Sequence, residues 1–540
     1  MKIALAQINP TVGNLAANAA KIAAAHARNL SSDIVMVPEL ALSGYPPEDL
    51  VLKPAFMDAI AAEAQKLCAL TAHGPALLLS TPWAMDGGIY NALLFMCDGA
   101  IAHVIPKHHL PNYGVFDEVR IFKAGPLPKP VTYKGRCIGF MTCEDAWYPD
   151  VAAHLKQHGA EMLIAPNASP YDEIKTDARL DVARARVTET GLPFLYLNQV
   201  GGQDELLFDG ASFGLNADGS IAFRMKAFAE DETVATFDGT WKTTGTATSW
   251  PEDEESIYEA LKLSLRDYVL KNGFGGVLLG LSGGIDSALV AVIAAEALGP
   301  DKVTCVMMPS PYTAQMSLDD AALLASNLGC EYRTITIEDG MKAFGAMLGR
   351  DADIGVTPEN IQSRLRGMIL MALSNAGGRM VVSTGNKSEM AVGYATLYGD
   401  MCGGFAVLKD VYKTQVFAIC KWINSRAGKP LIPERIITRP PSAELKADQT
   451  DQDTLPPYDV LDGILEGLIE KELRRREIVA QGYDAAVVTR VAAMLDRAEY
   501  KRRQAPPGPK ITARAFGRER RYPITNGFKP APLENPAENG

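Results

Sequence analysis

Three residues in the first half of the chain have the side-chain types that amide cleavage through a thioester needs: a nucleophile, a base and an oxyanion stabiliser. Cys143 lies in Thr142-Cys143-Glu144-Asp145-Ala146-Trp147, between an apolar run that reads as a buried strand and what reads as a helix start. A thiol there is expected to gain thiolate character from the helix N-terminus. Glu39, in Val37-Pro38-Glu39-Leu40, ends another strand and can take the thiol proton and pass it to departing ammonia. Lys107 ends a hairpin strand after Pro106, a cation suited to a tetrahedral oxyanion alongside the backbone N–H of Glu144. Singly, each has a plainer reading: a core cysteine, a strand-end cap, a surface lysine. Three such residues at strand ends of one α/β region are less easily explained that way. His108 and His109 follow at once, but no helical His-x-x-x-His partner accompanies them, so they are read as structural.

The second half holds a different chemistry. Ser282-Gly283-Gly284-Ile285-Asp286-Ser287 follows an apolar strand ending at Gly280-Leu281 and opens an apolar helix. Strand, glycine turn and helix N-terminus together make an anion cradle, because free backbone N–H groups and the helix dipole point at the ligand. Ser282 and Ser287 add hydroxyl donors, and Asp286 can hold Mg²⁺ beside phosphates. The loop lacks the lysine of G-x-x-x-x-G-K-[ST], so it is not a Walker A loop. A bare Gly-Gly turn would be read as a helix cap, but here both the strand before and the helix after are present.

The elements that must position these residues can be read from apolar runs. Lys2–Ile8, Ile34–Pro38, Ala76–Thr81, Ile138–Thr142, Met162–Ala165 and Phe194–Leu197 read as strands buried on both faces. Helical patterns at Leu15–Arg28 and Thr176–Thr190 lie between them, with hairpins at Asn91–Lys107 and Gly210–Arg224 turning at Asp98-Gly99 and Asp218-Gly219. This predicts a layered α/β sandwich over 1–240. Residues 241–256, rich in Thr, Gly and acid, read as a linker. From 257 to 540 a helix, Ile257–Asn272, leads into strands Val277–Leu281, Lys302–Met308, Arg333–Ile337 and Met380–Thr384. These are separated by helices Ser287–Leu298, Leu318–Leu328 and Asn360–Asn375, the alternation of a doubly wound parallel sheet. The tail from Pro530 reads as loose.

Composition excludes several classes. The chain has 540 residues, enough for two or three domains, and its 53 basic against 64 acidic side chains leave a net charge of −11. That balance argues against nucleic-acid partners, which need excess Lys and Arg. No apolar run is long enough for a membrane helix, Met1–Ile8 reads as the start of a strand and not as a signal peptide, and the eight cysteines include no Cys-x-x-Cys pair. A cytoplasmic, non-membrane protein with reduced thiols is expected, and a homo-oligomer.

The motifs resemble known families. The Glu39, Lys107 and Cys143 segments resemble the Glu-Lys-Cys triad of the nitrilase (carbon–nitrogen hydrolase) superfamily, over about Met1–Phe237. The resemblance implies an α-β-β-α sandwich, and Glu118, in Phe116-Asp117-Glu118-Val119, matches a further glutamate of these sites. The Ser282–Ser287 loop matches the SGGxDS signature of N-type ATP pyrophosphatases, with a Rossmann-like sheet; that resemblance implies adenylation, not phosphorylation. The segments Thr357-Pro358-Glu359-Asn360-Ile361-Gln362-Ser363-Arg364-Leu365-Arg366, Ser383-Thr384-Gly385-Asn386-Lys387-Ser388-Glu389, Gly393–Val416, Pro440-Pro441-Ser442-Ala443-Glu444-Leu445 and Lys501-Arg502-Arg503 resemble the glutamine-hydrolysing NAD⁺ synthetases.

That family pattern implies ATP-dependent amidation of deamido-NAD⁺ by way of an NAD-adenylate, with ammonia from glutamine. It implies glutamine contacts from Tyr113, Glu118, Ser169 and Lys175. ATP contacts would come from Gly280, Leu281, Ser282, Gly283, Gly284, Ile285, Asp286, Ser287 and Thr384. Asn360, Glu389 and Lys510 would meet deamido-NAD⁺, and Asp286 with Glu389 would hold Mg²⁺. Arg364, Arg366, Lys387, Lys409, Lys413 and Lys510 are of the type that meets a pyrophosphate and a carboxylate. The basic run Arg514–Arg521 fits substrate phosphate and subunit contact equally. A different ATP-dependent amidotransferase and a scaffold that has lost its chemistry are the rivals; the segments after Thr357 argue against the first, the intact triad and loop against the second.

Overall fold

Apolar runs without alternation become strands covered on both faces, because every second residue must find its own core. A computed structural model of the chain describes residues 1–173, 175–243, 248–251, 253–428, 430–446 and 449–528, the side chains of 175–177 excepted. It divides into two compact units, Met1–Glu252 and Asp253–Gly540.

In the first unit two sheets face each other. One has seven strands in the order Trp241–Thr243, Asp231–Phe237, Lys2–Gln7, Ile34–Met36, Ala76–Met85, Gly88–Cys97, Ala100–Pro106. The other has six, in the order Ile221–Arg224, Phe213–Leu215, Phe194–Asn198, Met162–Asn167, Arg136–Phe140, Val131–Tyr133. Ile3, Leu5 and Met36 of one sheet meet Ile138, Phe140 and Ile164 of the other in a core between them. The alternate residues Ala4, Val35 and Leu77 turn outward onto Ile22 and Leu67 of helices Leu15–Arg28 and Pro54–Leu70. Leu163, Ala165 and Phe194 turn outward onto Val151 and Val187 of helices Pro149–Gln157 and Lys175–Thr190. The result is the expected α-β-β-α sandwich. The hairpin expected at Asn91–Lys107 turns at Asp98 and Gly99, with φ of 51° and 75°, the two left-handed residues a tight hairpin turn needs.

The second unit holds a five-stranded, all-parallel sheet in the order Glu331–Thr334, Val303–Met307, Val277–Gly280, Met380–Ser383, Phe405–Ala406. The chain winds outward from Val277–Gly280 first one way and then the other, so the crevice beyond the carboxyl ends of Val277–Gly280 and Met380–Ser383 is the switch point where such sheets hold ligands. Helix Ile285–Leu298 is buried all round from Ser287 to Ala295, which explains a sequence without a polar face.

Two expectations need correction. The strand expected at Arg333–Ile337 lies earlier, at Glu331–Thr334, and is a largely exposed edge strand. The apolar signal came from Ile335 and Ile337, which leave the strand and pack with Leu278 and Val306. The expected linker 241–256 is structured at both ends. Trp241–Thr243 pairs antiparallel with Asp231–Phe237, Trp241 packs on Phe237, and a helix starts at Asp253. Residues 244–247 and 252 of that stretch, and the tail from Pro530, lie outside the described residues. Among the described residues no helix is long and apolar enough to cross a membrane, and all eight cysteines are free.

Candidate active site

Glu39 sits three residues beyond strand Ile34–Met36, where Leu40 takes a left-handed φ of 48° and donates its N–H to Ser80 Oγ at 2.8 Å. Lys107 directly follows strand Ala100–Pro106. The Lys107 Nζ donates to Glu39 Oε1 at 2.7 Å and to both Glu118 oxygens at 2.9 and 3.0 Å. Asn91 Nδ2 reaches Glu39 Oε1 at 2.8 Å, the Ala168 N–H reaches Glu39 Oε2 at 3.0 Å, and the Tyr45 hydroxyl donates to Glu118 Oε1 at 2.9 Å. All three charged residues are buried. Burial alone would strip the proton from Lys107; Glu118 and Glu39 more than offset it and hold the ammonium charged. Burial pushes Glu118 up to about 7, with Lys107 opposing and Glu39 adding to the rise.

A carboxyl whose folded pKa lies above its unfolded value stabilises the fold below the unfolded value and loses that contribution as pH rises through the folded one. Glu118 should therefore weaken the first unit between pH 4.5 and about 7. The neutral Glu118→Gln should flatten that part of the melting-temperature profile; a profile identical to wild type would count against the raised carboxyl.

Cys143 opens a single 3-10 turn, Cys143–Ala146, rather than the expected helix, with a left-handed φ of 43° that strains a non-glycine residue. Asp145 fixes the turn: its Oδ2 accepts from the Thr142 N–H at 3.0 Å, and its Oδ1 from the N–H groups of His108 and His109 at 3.1 and 2.8 Å. One carboxylate thus ties the nucleophile turn to the chain leaving Lys107. The expected thiolate character from a helix N-terminus is corrected here. Burial pushes the buried Cys143 thiol well up and Glu39 adds to it, with Lys107 opposing. The resting group is a neutral thiol that needs a base.

The other residues implied for glutamine are placed unequally. The half-exposed Tyr113 donates its hydroxyl to both Glu144 oxygens at 3.1 Å, beside Cys143. Ser169 is buried, its N–H held by Asn198 Oδ1 at 2.9 Å. Lys175 begins helix Lys175–Thr190, and its side chain lies outside the described residues.

In the second unit a cleft of 280 Å³ opens at the switch point. Gly280, Leu281, Ser282, Gly284, Ile285, Asp286 and Ser287 line it, as do Thr384 and Glu389. The loop is knit by its serines: the hydroxyls of Ser282 and Ser287 lie 3.0 Å apart, and Ser287 Oγ donates to the Gly284 carbonyl at 3.0 Å. Gly283 has φ of 78°, and a Cβ there would lie 2.4 Å from the Ser317 carbonyl oxygen. Arg439 braces the same turn, donating to the Gly283 carbonyl and to Ser317 Oγ at 2.8 Å each. Forcing a left-handed, sterically closed position costs about 1–3 kcal/mol, so Gly283→Ala should raise the KM for ATP roughly tenfold or more. Glutaminase turnover should be untouched. Pyrophosphate-release kinetics check this, and an unchanged KM would refute the close approach.

Three helix N-termini face this cleft with Asp286, Glu389 and Lys413. Asp286 is the second residue of helix Ile285–Leu298, Glu389 completes the capping box of Asn386 on helix Lys387–Val392, and Lys413 opens helix Lys413–Arg426. Asn386 Nδ2 donates to Asp286 Oδ1 at 2.9 Å, and the Lys413 ammonium contacts Asp286 Oδ2 and lies 3.4 Å from Glu389 Oε1. Burial pushes Glu389 up to about 8, Lys413 opposing and Asp286 adding. Two carboxylates sharing one lysine are a donor set that a divalent cation would suit.

Asn360 and Lys510 do not line the cleft. Asn360 Oδ1 accepts from Thr396 Oγ1 at 2.9 Å, and the buried Lys510 donates to the Thr512 carbonyl at 2.7 Å. Of the other cations, Arg366 and Lys413 line it, and burial pulls Arg366 down to about 10. Lys387 is instead enclosed by Asp410, Glu470 and Thr512. Sequence reasoning missed Tyr45, Asn91, Asp145, Asn386 and Arg439. Asn91 could have been found as a polar residue in an apolar strand, and Thr142-x-x-Asp145 and Asn386-x-x-Glu389 by their capping-box spacing; Tyr45 and Arg439 carried no signal.

A buried cysteine, lysine and two glutamates on an α-β-β-α sandwich, in one chain with a glycine loop at a parallel-sheet switch point, define a carbon–nitrogen hydrolase fused to a nucleotide-binding synthetase. The family models agree: Carbon-nitrogen hydrolase matches residues 2–245 and NAD synthase residues 257–505. The chain is 52% identical to the glutamine-dependent NAD(+) synthetase of Rhodobacter capsulatus, covering 98% of this chain and 99% of that one. It is 47% identical to that of Xanthomonas campestris pv. campestris, covering 98% of each. A solved glutamine-dependent NAD⁺ synthetase from Acinetobacter baumannii in complex with adenosine diphosphate matches at 43% identity with a TM-score of 0.78, over 98% of this chain and 99% of that one. The chain belongs to the glutamine-dependent NAD⁺ synthetase family.

Proposed function

We propose that the chain amidates deamido-NAD⁺ to NAD⁺ with ammonia taken from glutamine, releasing glutamate, AMP and pyrophosphate. The observation that carries this is the pairing, in one chain, of a buried Lys107 between Glu39 and Glu118 beside Cys143 with the Ser282–Ser287 cradle. Glu39 takes the proton of the neutral Cys143 thiol, and sulfur attacks the glutamine side-chain carbonyl. Lys107 Nζ and the Glu144 N–H stabilise the oxyanion. Glu39 returns the proton to the leaving ammonia, and water then cleaves the thioester. Tyr113, Glu118, Ser169 and Lys175 hold the glutamine.

In the second unit the nicotinate carboxylate attacks the α-phosphorus of ATP and pyrophosphate leaves. Ammonia then attacks the acyl carbon and AMP departs. The Ser282–Ser287 loop, Thr384 and the helix N-termini hold the phosphates. Asp286 and Glu389 would hold Mg²⁺, which when bound neutralises charge on the departing pyrophosphate. Glu389, with Asn360 and Lys510, takes deamido-NAD⁺. A cytoplasmic homo-oligomer is the setting this reading assumes. The test is AMP formation with glutamine and ATP, comparing deamido-NAD⁺ with xanthosine monophosphate and aspartate as acceptors; AMP with either of the last two but not the first would overturn the substrate.

Ammonia released into water at pH 7 is mostly ammonium, which is not a nucleophile. The fusion of the two activities therefore favours delivery of the ammonia to the nicotinate carboxylate without its release to bulk water. With ¹⁵N-amide glutamine and excess unlabelled ammonium, the NAD⁺ formed should keep the label; dilution to the bulk isotope ratio would sink channelling.

A further inference from the structure

Two of the chain's seven histidines, His108 and His109, cluster with one aspartate, Asp150, on the first unit. The reaction described above uses none of them. Asp150 lies in the first turn of helix Pro149–Gln157, and His154 follows it by four residues, on the same helix face. The ligand atoms of His108, His109 and Asp150 all lie within 4.8 Å of one another. His109 Nε2 is 2.9 and 3.0 Å from the two Asp150 oxygens, and His108 Nε2 is 4.0 Å from Asp150 Oδ2.

Consecutive residues of an extended chain point to opposite faces. Two neighbouring histidines can meet one carboxylate only if the backbone is held out of that form. Asp145 Oδ1 does this by taking both of their N–H groups. The rings are fixed as well. His109 stacks on Tyr148 at 4.2 Å between centroids, with 28° between planes. His108 Nδ1 lies 2.7 Å from the Gly125 carbonyl. A carbonyl only accepts, so the proton of a neutral His108 sits on Nδ1 and the Nε2 lone pair faces Asp150. This is the backing that orients metal-bound imidazoles.

We propose that His108, His109 and Asp150 form a binding site for a divalent transition-metal ion of the zinc class, distinct from the Mg²⁺ carboxylates of the second unit. Two imidazoles and one carboxylate suit zinc, cobalt or nickel rather than magnesium, and three protein ligands leave a fourth position for water. Tetrahedral ligands at zinc distances lie about 3.3 Å apart, so small side-chain rotations convert the present arrangement. The site joins the chain leaving Lys107 to the helix that follows the Cys143 turn, which places it beside the amide-cleaving centre without contributing a group to it.

The full-length enzyme, stripped with chelator, is titrated with Zn²⁺ by calorimetry and with Co²⁺ by visible absorption. Wild type should take up one ion in a nitrogen–oxygen site. His109→Ala and Asp150→Asn should each weaken that event at least tenfold, and Zn²⁺ should no longer raise their melting temperature. His158→Ala, outside the ligand set, should titrate like wild type. Ammonia-dependent synthesis and the metal-free melting temperature report folding, and Asp150→Asn, nearly isosteric, decides if His109→Ala is misfolded. The proposal is overturned if Asp150→Asn binds like wild type, or if the only Co²⁺ signal is the charge-transfer band of a thiolate site.

Discussion

Cys143→Ala is expected to stop NAD⁺ formation from glutamine while leaving formation from ammonium salts within about twofold of wild type. The first half of that expectation follows from the state of the thiol. Burial and Glu39 hold Cys143 protonated, so the residue is useful only as a nucleophile deprotonated at the moment of attack. Loss of a nucleophile from such a site costs from about 10³-fold to about 10⁶-fold in turnover. The second half follows from what the substitution spares. Lys107 keeps Glu39 and Glu118, Asp145 keeps Thr142, His108 and His109, and no buried charge loses its partner. The first unit should therefore fold, and the adenylating residues all lie in the other unit. NAD⁺ formation with glutamine and with ammonium chloride, measured on one preparation, checks both halves. Equal collapse with both nitrogen donors in a folded variant would mean that the two units do not divide the chemistry in this way.

What was legible in the sequence was whatever a strand end or a glycine loop announces. Glu39 and Cys143 each follow an apolar run and Lys107 a hairpin strand, and the loops that leave such strands carry function. Gly283 was legible as part of a glycine turn between a strand and a helix, while its left-handed φ and its close approach to Ser317 were not. The partners that set the electrostatics were less visible. Tyr45 and Glu118 are 73 residues apart yet hydrogen-bonded, and Asp286 and Asn386 are 100 apart. Only tertiary folding brings such pairs together, and nothing local marks them. The thiolate expected at Cys143 shows the same limit: the motif suggested a helix dipole, whereas a single 3-10 turn in a buried, carboxylate-rich pocket pushes the thiol the other way. His108 and His109 show it once more, since their companion Asp150 lies 41 residues from His109 on a different element.

Asp286→Asn is expected to lower AMP formation by about 10²–10³-fold with glutamine and with ammonia alike, while glutamine hydrolysis persists. The substitution keeps size and helix position, and asparagine can still meet Asn386. What it removes is the negative charge that faces Lys413 in the cleft. Two consequences compound. The Lys413 ammonium, buried and now paired only with Glu389 at 3.4 Å, is free to turn towards anionic phosphates in the ground state rather than the transition state. The carboxylate pair that would hold Mg²⁺ is reduced to Glu389 alone. The environment of Glu389 changes in a direction that can be checked independently. Burial pushes Glu389 up to about 8, Lys413 opposing, and Asp286 is one of the charges adding to that rise. Without Asp286 the Glu389 carboxyl should ionise at lower pH, so the acid limb of the residual AMP-forming activity should move acidwards. AMP formation within about tenfold of wild type, with either nitrogen donor, would remove Asp286 from the adenylation chemistry. A deep loss with no movement of the acid limb would leave it a role there without the coupling to Glu389.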